Sequence, residues 1–332
     1  MSKTLRYLRP VALLASLALF VYALRWAGIR TILDSARALG VGFVWLILLS
    51  GLRHALRTAA WHASIEPDTP RPGLLSLFAL RLAGEGLNVA TPAGPLLGES
   101  VKVWAASRQM PESSSASSVA IENIIYGLGA GLFMLAGSVL LLATSPHARL
   151  GSWMVVTCLL ASLLVPYALV RRSSPMIARL LDRLPASSRA KRFIGPYETR
   201  IKAVETEILE FFRARRLAFI GILGLEFLTN FTGVAEAYLI LKVTAFHASL
   251  VNAYFVEVMN RAVQLFFVFV PFGLGVDEGA AAGTLKALGY SVSQGVSLAV
   301  LRRARTVFWA AIGLLLAARY CLARPVEEGS LA

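Results

Sequence analysis

Two glutamates stand where strongly apolar sequence is broken: Pro92-Ala93-Gly94…Gly98-Glu99 and Pro271-Phe272-Gly273-Leu274-Gly275…Glu278. In each copy a proline is followed by a glycine two places on and a glutamate seven places on. Proline lacks an N–H and interrupts a helix, and glycine lets the backbone turn and approach a ligand closely. The helix N-terminus beyond such a break offers partial positive charge and free N–H donors, a ready site for phosphate or carboxylate. Glu99 or Glu278 can cap that end, pair with an arginine, or bind a cationic headgroup or a proton; a purely structural cap is the plain alternative for each. Breaks in corresponding positions of two halves mark carriers whose discontinuous helices bind substrate near the bilayer midplane.

Charged side chains recur inside the apolar segments. Arg81, Glu85 and Asn88 are spaced i, i+4, i+7 on one helix face, and Glu257, Arg261 and Gln264 repeat that spacing with Asn260 beside them. Counted back from the proline of each break, the second set is shifted by three residues, so the faces are similar without being aligned. Glu122 and Asn123 begin one apolar segment, and Glu226 and Asn230 lie well inside another. A charge at a helix centre costs roughly 2.5–3.5 kcal/mol on insertion scales, so such groups face the bundle interior and often mark a pathway. For Glu226 and Asn230, hydrogen bonds that tie helices together are an equally good reading.

The last apolar segment is the sharpest case. Ser291 to Leu301 and Thr306 to Ala318 are uncharged, with Arg302, Arg303 and Arg305 between them. Neither flank reaches the roughly 20 residues needed to span, so the arginines fall near mid-helix. An inward arginine that pairs with a carboxylate or an anionic headgroup fits that position, because guanidinium binds phosphate bidentately. Arg302 and Arg305 share a face at i, i+3; Arg303 points elsewhere and reads as structural.

These residues need a membrane-embedded scaffold. With 332 residues, 57% hydrophobic and 16% charged, and a mean hydropathy of +0.65, the chain is too apolar for a soluble domain. Full crossings are expected near Pro10–Leu24, Ala38–Leu52, Val119–Ala143, Gly151–Val170, Leu217–Leu241 and Ser291–Ala318. Lys3, Arg6 and Arg9 precede the first of these as in a signal peptide, but Arg25-Trp26 replaces a cleavage site, so an uncleaved helix is expected. Leu74–Val89 with Leu96–Ser107, and Leu250–Val270 with Gly275–Leu288, read as two broken re-entrant hairpins. Glu66 to Pro72 reads as a loop and Glu112 to Ser118 as a serine-rich turn. The expected fold is an all-α polytopic bundle of about six crossings and two hairpins. The hairpins enter from opposite faces as an inverted repeat, within one domain of 1–332 (halves about 1–145 and 151–325).

Charge placement argues topology. Of the net charge of +14, half falls between Arg171 and Arg216, where 12 Lys/Arg face 5 Asp/Glu. A basic loop of this kind, 171–216, marks the cytoplasmic side, with both termini there too. The stretch Arg189 to Arg216 can also lie against anionic headgroups. Nucleic acid is not the expected partner.

Other chemistry is unsupported. Cys158 and Cys321 suggest neither a disulfide framework nor a metal site, and His54, His62, His147 and His247 have no ligand spacing. Gly-Lys never occurs, so there is no Walker A loop, and neither His-Glu-x-x-His nor Gly-x-Ser-x-Gly is present. Gly127-x-x-x-Gly131 and Gly279-x-x-x-Gly283 are weak helix-packing signals. No cofactor, metal or catalytic constellation is expected.

Taken together, Asn88…Pro92…Gly98-Glu99 with Lys102, then Glu122, and Pro271…Gly273-Leu274-Gly275-Val276-Asp277-Glu278 with Arg302 resemble the flippase-like membrane region of lysylphosphatidylglycerol synthases and its stand-alone relatives. The resemblance runs from about Leu74 to Ala318, and Lys102 and Asn123 stand near where family members often have arginine. It implies movement of a polar lipid (anionic, aminoacylated or glycosylated) between leaflets of the bacterial inner membrane, without the soluble aminoacyl-transferase domain. Relatives of this type are associated with hopanoid, aminoacylated-lipid or glycolipid pathways. The substrate-binding residues then expected are Asn88, Glu99, Lys102, Glu122, Arg261, Glu278, Arg302 and Arg305, with Pro92, Gly94, Gly98, Pro271, Gly273 and Gly275 forming the breaks. The rivals are an intramembrane lipid-modifying transferase with Glu99 or Glu278 as general base, and an accessory membrane subunit of a lipid-biosynthesis complex. Lipid-biosynthesis enzymes and a second copy of the chain are the protein partners this admits.

Overall fold

The computed structural model describes residues 30, 33–34, 37, 39–90, 94–144, 178–179, 183, 191, 194–244, 248–267 and 275–322. The expected crossings at 10–24 and 151–170, Pro92, Pro271, Gly273 and most of the loop 171–193 lie outside the described residues. Among the described residues the structure is all helical, with nine α-helices. They are α1 Val41–Ser64, α2 Leu74–Ala90, α3 Gly94–Ala106, α4 Glu112–Thr144, α5 Glu198–Ala214, α6 Arg216–Thr244, α7 Leu250–Phe266, α8 Val276–Ala287 and α9 Val292–Leu322.

Polarity runs inside out. The stripe Val41, Val44, Trp45, Leu48 and Leu52 on α1 is exposed at the i, i+3, i+4, i+7, i+11 spacing of one helix face. On α6, Leu217, Ile220, Leu228 and Phe231 are exposed while Glu226, Thr229, Asn230 and Glu236 are buried. A water-facing helix reverses this pattern. By length and composition, Glu112–Leu140 and Arg216–Thr244 can each cross a membrane.

Two boundaries differ from the sequence reading. Helix α1 continues 12 residues beyond Leu52 to Ser64, because Arg53, His54 and Arg57 turn to the interior and find a polar cavity there. The segment Glu112 to Ser118 is not a turn: it is the first part of the 33-residue α4. Its serines satisfy themselves within a helix, Ser117 and Ser118 donating back to the carbonyls of Ser114 and Ser115. Ser115 donates across to Val103 at 2.7 Å, and Ser118 accepts from the Trp61 indole at 3.2 Å.

At each break the chain doubles back. Helices α2 and α3 pack so closely that a Cβ on Gly98 would sit 2.5 Å from the Gly84 carbonyl oxygen, and one on Gly84 would sit 2.7 Å from the Lys102 side chain. Gly98 is therefore not itself a break. It lies inside α3 and sets the closeness of this pair, whereas Gly94 is the helix's first residue. Helices α7 and α8 return similarly, with Asn252 donating to the Tyr290 hydroxyl at 2.9 Å.

The long α9 joins the two pairs. Toward its start Gly295 lies against the backbone of Ala282 on α8, and toward its end Gly313 lies against the Leu82 carbonyl and Gly86 of α2. Arg302, Arg303 and Arg305 fall between these two contacts. Gly313→Ala would push a methyl into the Leu82 carbonyl, with backbone on both sides and no flexible side chain to give way. We expect it to destabilise the protein by roughly 1–3 kcal/mol, the usual cost of overpacking. A thermal midpoint in detergent equal to wild type would show that the two helices can separate freely here.

Candidate functional site

Every described helix except α5 turns a polar side chain toward one cavity of about 550 Å³. Helix α1 contributes Arg53, His54 and Arg57; α2 contributes Arg81, Glu85 and Asn88; α3 contributes Glu99 and Lys102. Asn123 and Tyr126 come from α4, Glu236 from α6, Glu257, Asn260 and Gln264 from α7, and Asp277 from α8. The three mid-helix arginines of α9 complete the wall. A lining of this composition would be hard to bury without paired charges, and most of it is paired.

One network surrounds the first helix pair. Arg57 donates to Glu122 Oε1 from Nη2 at 2.7 Å and from Nε at 3.0 Å, and Arg81 reaches the same oxygen at 2.9 Å. Glu122 itself is fully buried behind the wall. Lys102 Nζ lies 2.6 Å from Glu99 Oε2, which also accepts from Asn123 at 2.8 Å. Lys102 and Asn123 thus share one carboxylate.

A second network surrounds α9. Arg302 donates to Glu257 Oε2 at 2.7 Å and to the Gly233 carbonyl at 3.2 Å, and its Nε lies 3.4 Å from Glu236. Arg305 pairs with Glu236, so the two arginines predicted to share a face do converge on one carboxylate. Arg261 pairs with Glu257 Oε1 at 3.0 Å. Arg303 is not set apart: it lines the same cavity and pairs with Glu278, because α8 brings its N-terminus against α9. Glu278 also accepts from the Gly275 N–H at 2.9 Å, and Gly275 has φ +79°, which favours glycine. At the second break, then, the glutamate both caps the helix and binds an arginine.

Tyr126 joins the networks. Its ring lies under the Arg57 guanidinium, 3.9 Å from centroid to Cζ, and its hydroxyl accepts from Arg261.

Three charged groups in the wall have no ion pair among the described residues: Arg53, Glu85 and Asp277. Glu85 accepts a 3.0 Å hydrogen bond from Asn88. Among the described residues, then, one cation and two anions of the cavity wall lack an ion pair while the other charges are paired.

Of the predicted site residues, Asn88, Glu99, Lys102, Arg302 and Arg305 line the cavity, while Glu122, Arg261 and Glu278 hold lining residues from behind. Sequence reasoning missed Arg53, Arg57, Tyr126, Glu236 and Asp277 as site residues. The signal for the first two was an i, i+4 arginine pair continuing an apolar run; Glu236 and Tyr126 carry no such mark. Among the described residues no group of His, Cys, Asp and Glu could hold a metal ion.

The sequence pattern of one known family, described as Lysylphosphatidylglycerol synthase TM region, matches residues 10–313. No curated protein matches, and no solved structure does.

Proposed function

The chain belongs to the lysylphosphatidylglycerol synthase TM region family and is an integral membrane protein, and on that premise we propose that it passes the headgroup of a polar lipid between leaflets through this cavity. The observation that carries the reading is the set Arg53, Glu85 and Asp277, without an ion pair among the described residues, in a wall whose other charges are paired. All three side chains are half-buried; unpaired charge drawn partly out of water is costly, and a ligand with a phosphate for Arg53 and a donor or cation for the carboxylates would offset it. Nucleotides or free metabolites would suit the charges as well, but the outward apolar faces of α1 and α6 favour a substrate that arrives from the bilayer.

The two helix pairs act in this reading as re-entrant hairpins from opposite faces, six full crossings surround them, and the basic loop with both termini lies in the cytoplasm. The tightly packed pairs and the duplicated Pro-x-Gly breaks support it. No covalent step is involved: Glu99 and Glu278 are each bound to a cation, which suits holding charge in place more than general-base work. The membrane is the bacterial inner membrane, and the partner is the lipid.

Proteoliposomes carrying a headgroup-labelled phosphatidylglycerol test the proposal. Wild type is expected to make the inner-leaflet label accessible, and Glu99→Gln and Glu278→Gln to lose most of that movement while eluting as wild type. Each change weakens a charge-assisted contact that helps shape the wall. Unchanged movement in both variants would contradict the role given to the breaks.

A further inference from the structure

Glu226 is a carboxyl that headgroup binding does not use. It sits on α6 with no solvent exposure, and among the described residues neither oxygen has a hydrogen-bond partner. Its nearest cation is Arg57, whose Nε lies 3.8 Å from Oε2, beyond hydrogen-bond reach. Arg57 gives its hydrogen bonds instead to Glu122 Oε1, and Arg81 points at that same oxygen. Glu122 Oε2 is likewise buried and without a hydrogen-bond partner among the described residues. Two carboxyls with three orphaned oxygens therefore flank one guanidinium.

Two ionised carboxylates do not suit this arrangement. A fully buried carboxylate with no hydrogen bond costs several kcal/mol, and neighbouring like charges oppose a second ionisation. One proton resolves both difficulties. On Glu226 it removes the charge and supplies an O–H donor, and the orphaned Glu122 Oε2 is an acceptor on the neighbouring carboxyl. Two carboxyls with one proton between them then titrate as a unit.

The charged groups facing Glu226 among the described residues are Arg57 from α1, Glu122 from α4 and, behind them, Arg81 from α2. From α7 and α9, Glu257 and Arg302 meet α6 further along, at Gly233 and Glu236. With Glu226 neutral, Arg57, Arg81 and Glu122 sum to one positive charge; with Glu226 ionised, the four groups sum to zero. Arg57 and Arg81 both line the cavity.

We propose that Glu226 is a proton-binding site, holding at neutral pH a proton shared with Glu122, and that proton release draws Arg57 toward Glu226 and weakens the cavity's hold on an anionic headgroup. The balance is simple: the proton passes to water, Glu226 gains one negative charge, and Arg57 divides its hydrogen bonds between two carboxylates. By linkage, a proton that strengthens anion binding is itself bound more tightly when the anion is present. The proton site stands alone; its coupling to the headgroup rests on the proposed function.

Infrared difference spectra of the full-length protein between neutral and alkaline pH test the first part. Wild type is expected to show the carbonyl stretch of a protonated carboxyl that disappears on alkalinisation. Glu278→Gln should keep that band and Glu226→Gln should lose it, since glutamine has no carboxyl to protonate. No such band in wild type would overturn the site whether or not any variant folds, and would mean that trapped water solvates an ionised Glu226. A band that persists in Glu226→Gln would also overturn it.

Calorimetric titration with short-chain phosphatidylglycerol over the same range tests the coupling. Wild-type affinity should fall roughly fivefold or more as the band disappears, and Glu226→Gln should bind equally at both pH values. Equal wild-type affinity at both pH values would overturn the coupling. No binding at either pH, with the band present, would overturn the headgroup reading and the coupling together and uphold the proton site.

Discussion

Arg53→Ala is expected to bind short-chain phosphatidylglycerol about ten- to a hundredfold more weakly than wild type, with little change in thermal midpoint. The magnitude is that of a charge-assisted hydrogen bond, roughly 1.5–3 kcal/mol. The small stability effect follows from position: Arg53 lines the cavity and has no ion pair to lose among the described residues. Removing an unpaired cation from a partly buried wall leaves no carboxylate stranded. Its removal also relieves repulsion from Arg261 and Arg305. Arg53→Lys should recover part of the affinity, since lysine restores the charge without the bidentate fork. A marked drop in midpoint with unchanged affinity would show instead that Arg53 is structural.

Arg302→Ala should fail differently, by destabilising the fold. Arg302 ties Glu257 and Glu236, both 2% exposed, into one network with Arg261 and Arg305. Breaking a buried pair by deleting one partner costs about 3–5 kcal/mol, because the other charge is left uncompensated. The Gly233 carbonyl also loses a donor. Adding Glu257→Gln should recover part of the loss, since the stranded charge is then gone, and a double-mutant cycle over unfolding midpoints measures that coupling. A single variant as stable as wild type would mean that Glu236 and Glu257 are adequately held by Arg305 and Arg261 alone. The contrast between Arg53 and Arg302 separates a cation that waits for a ligand from one that holds the wall together.

The helical pairs were legible because proline and glycine punctuate apolar runs: Leu74–Val89 and Leu250–Val270 anticipated α2 and α7 to within a few residues. The mid-helix arginines were legible for a similar reason, since uncharged flanks on either side fix their depth. What escaped was the set of partners. Arg53 and Arg57 lie just past the expected crossing Ala38–Leu52. In the folded chain a polar interior lets α1 continue past them. Serine runs usually signal turns, yet Ser115, Ser117 and Ser118 spend their hydroxyls on backbone carbonyls and on neighbouring helices. The angular position of Arg303 separates it from Arg302 and Arg305, and that position says nothing of α8 bringing Glu278 against its flank. Pairing across helices depends on which faces meet, and periodicity within one helix carries no information about its neighbour.

The central claim, that this cavity holds a polar-lipid headgroup, is tested most directly by mass spectrometry of the lipids that co-purify with wild type and with Arg53→Ala from the same cells in the same mild detergent. We predict one polar lipid enriched over the bulk membrane in wild type and reduced to its bulk proportion in the variant. Bulk lipid composition in both samples, with both proteins folded, would contradict the claim.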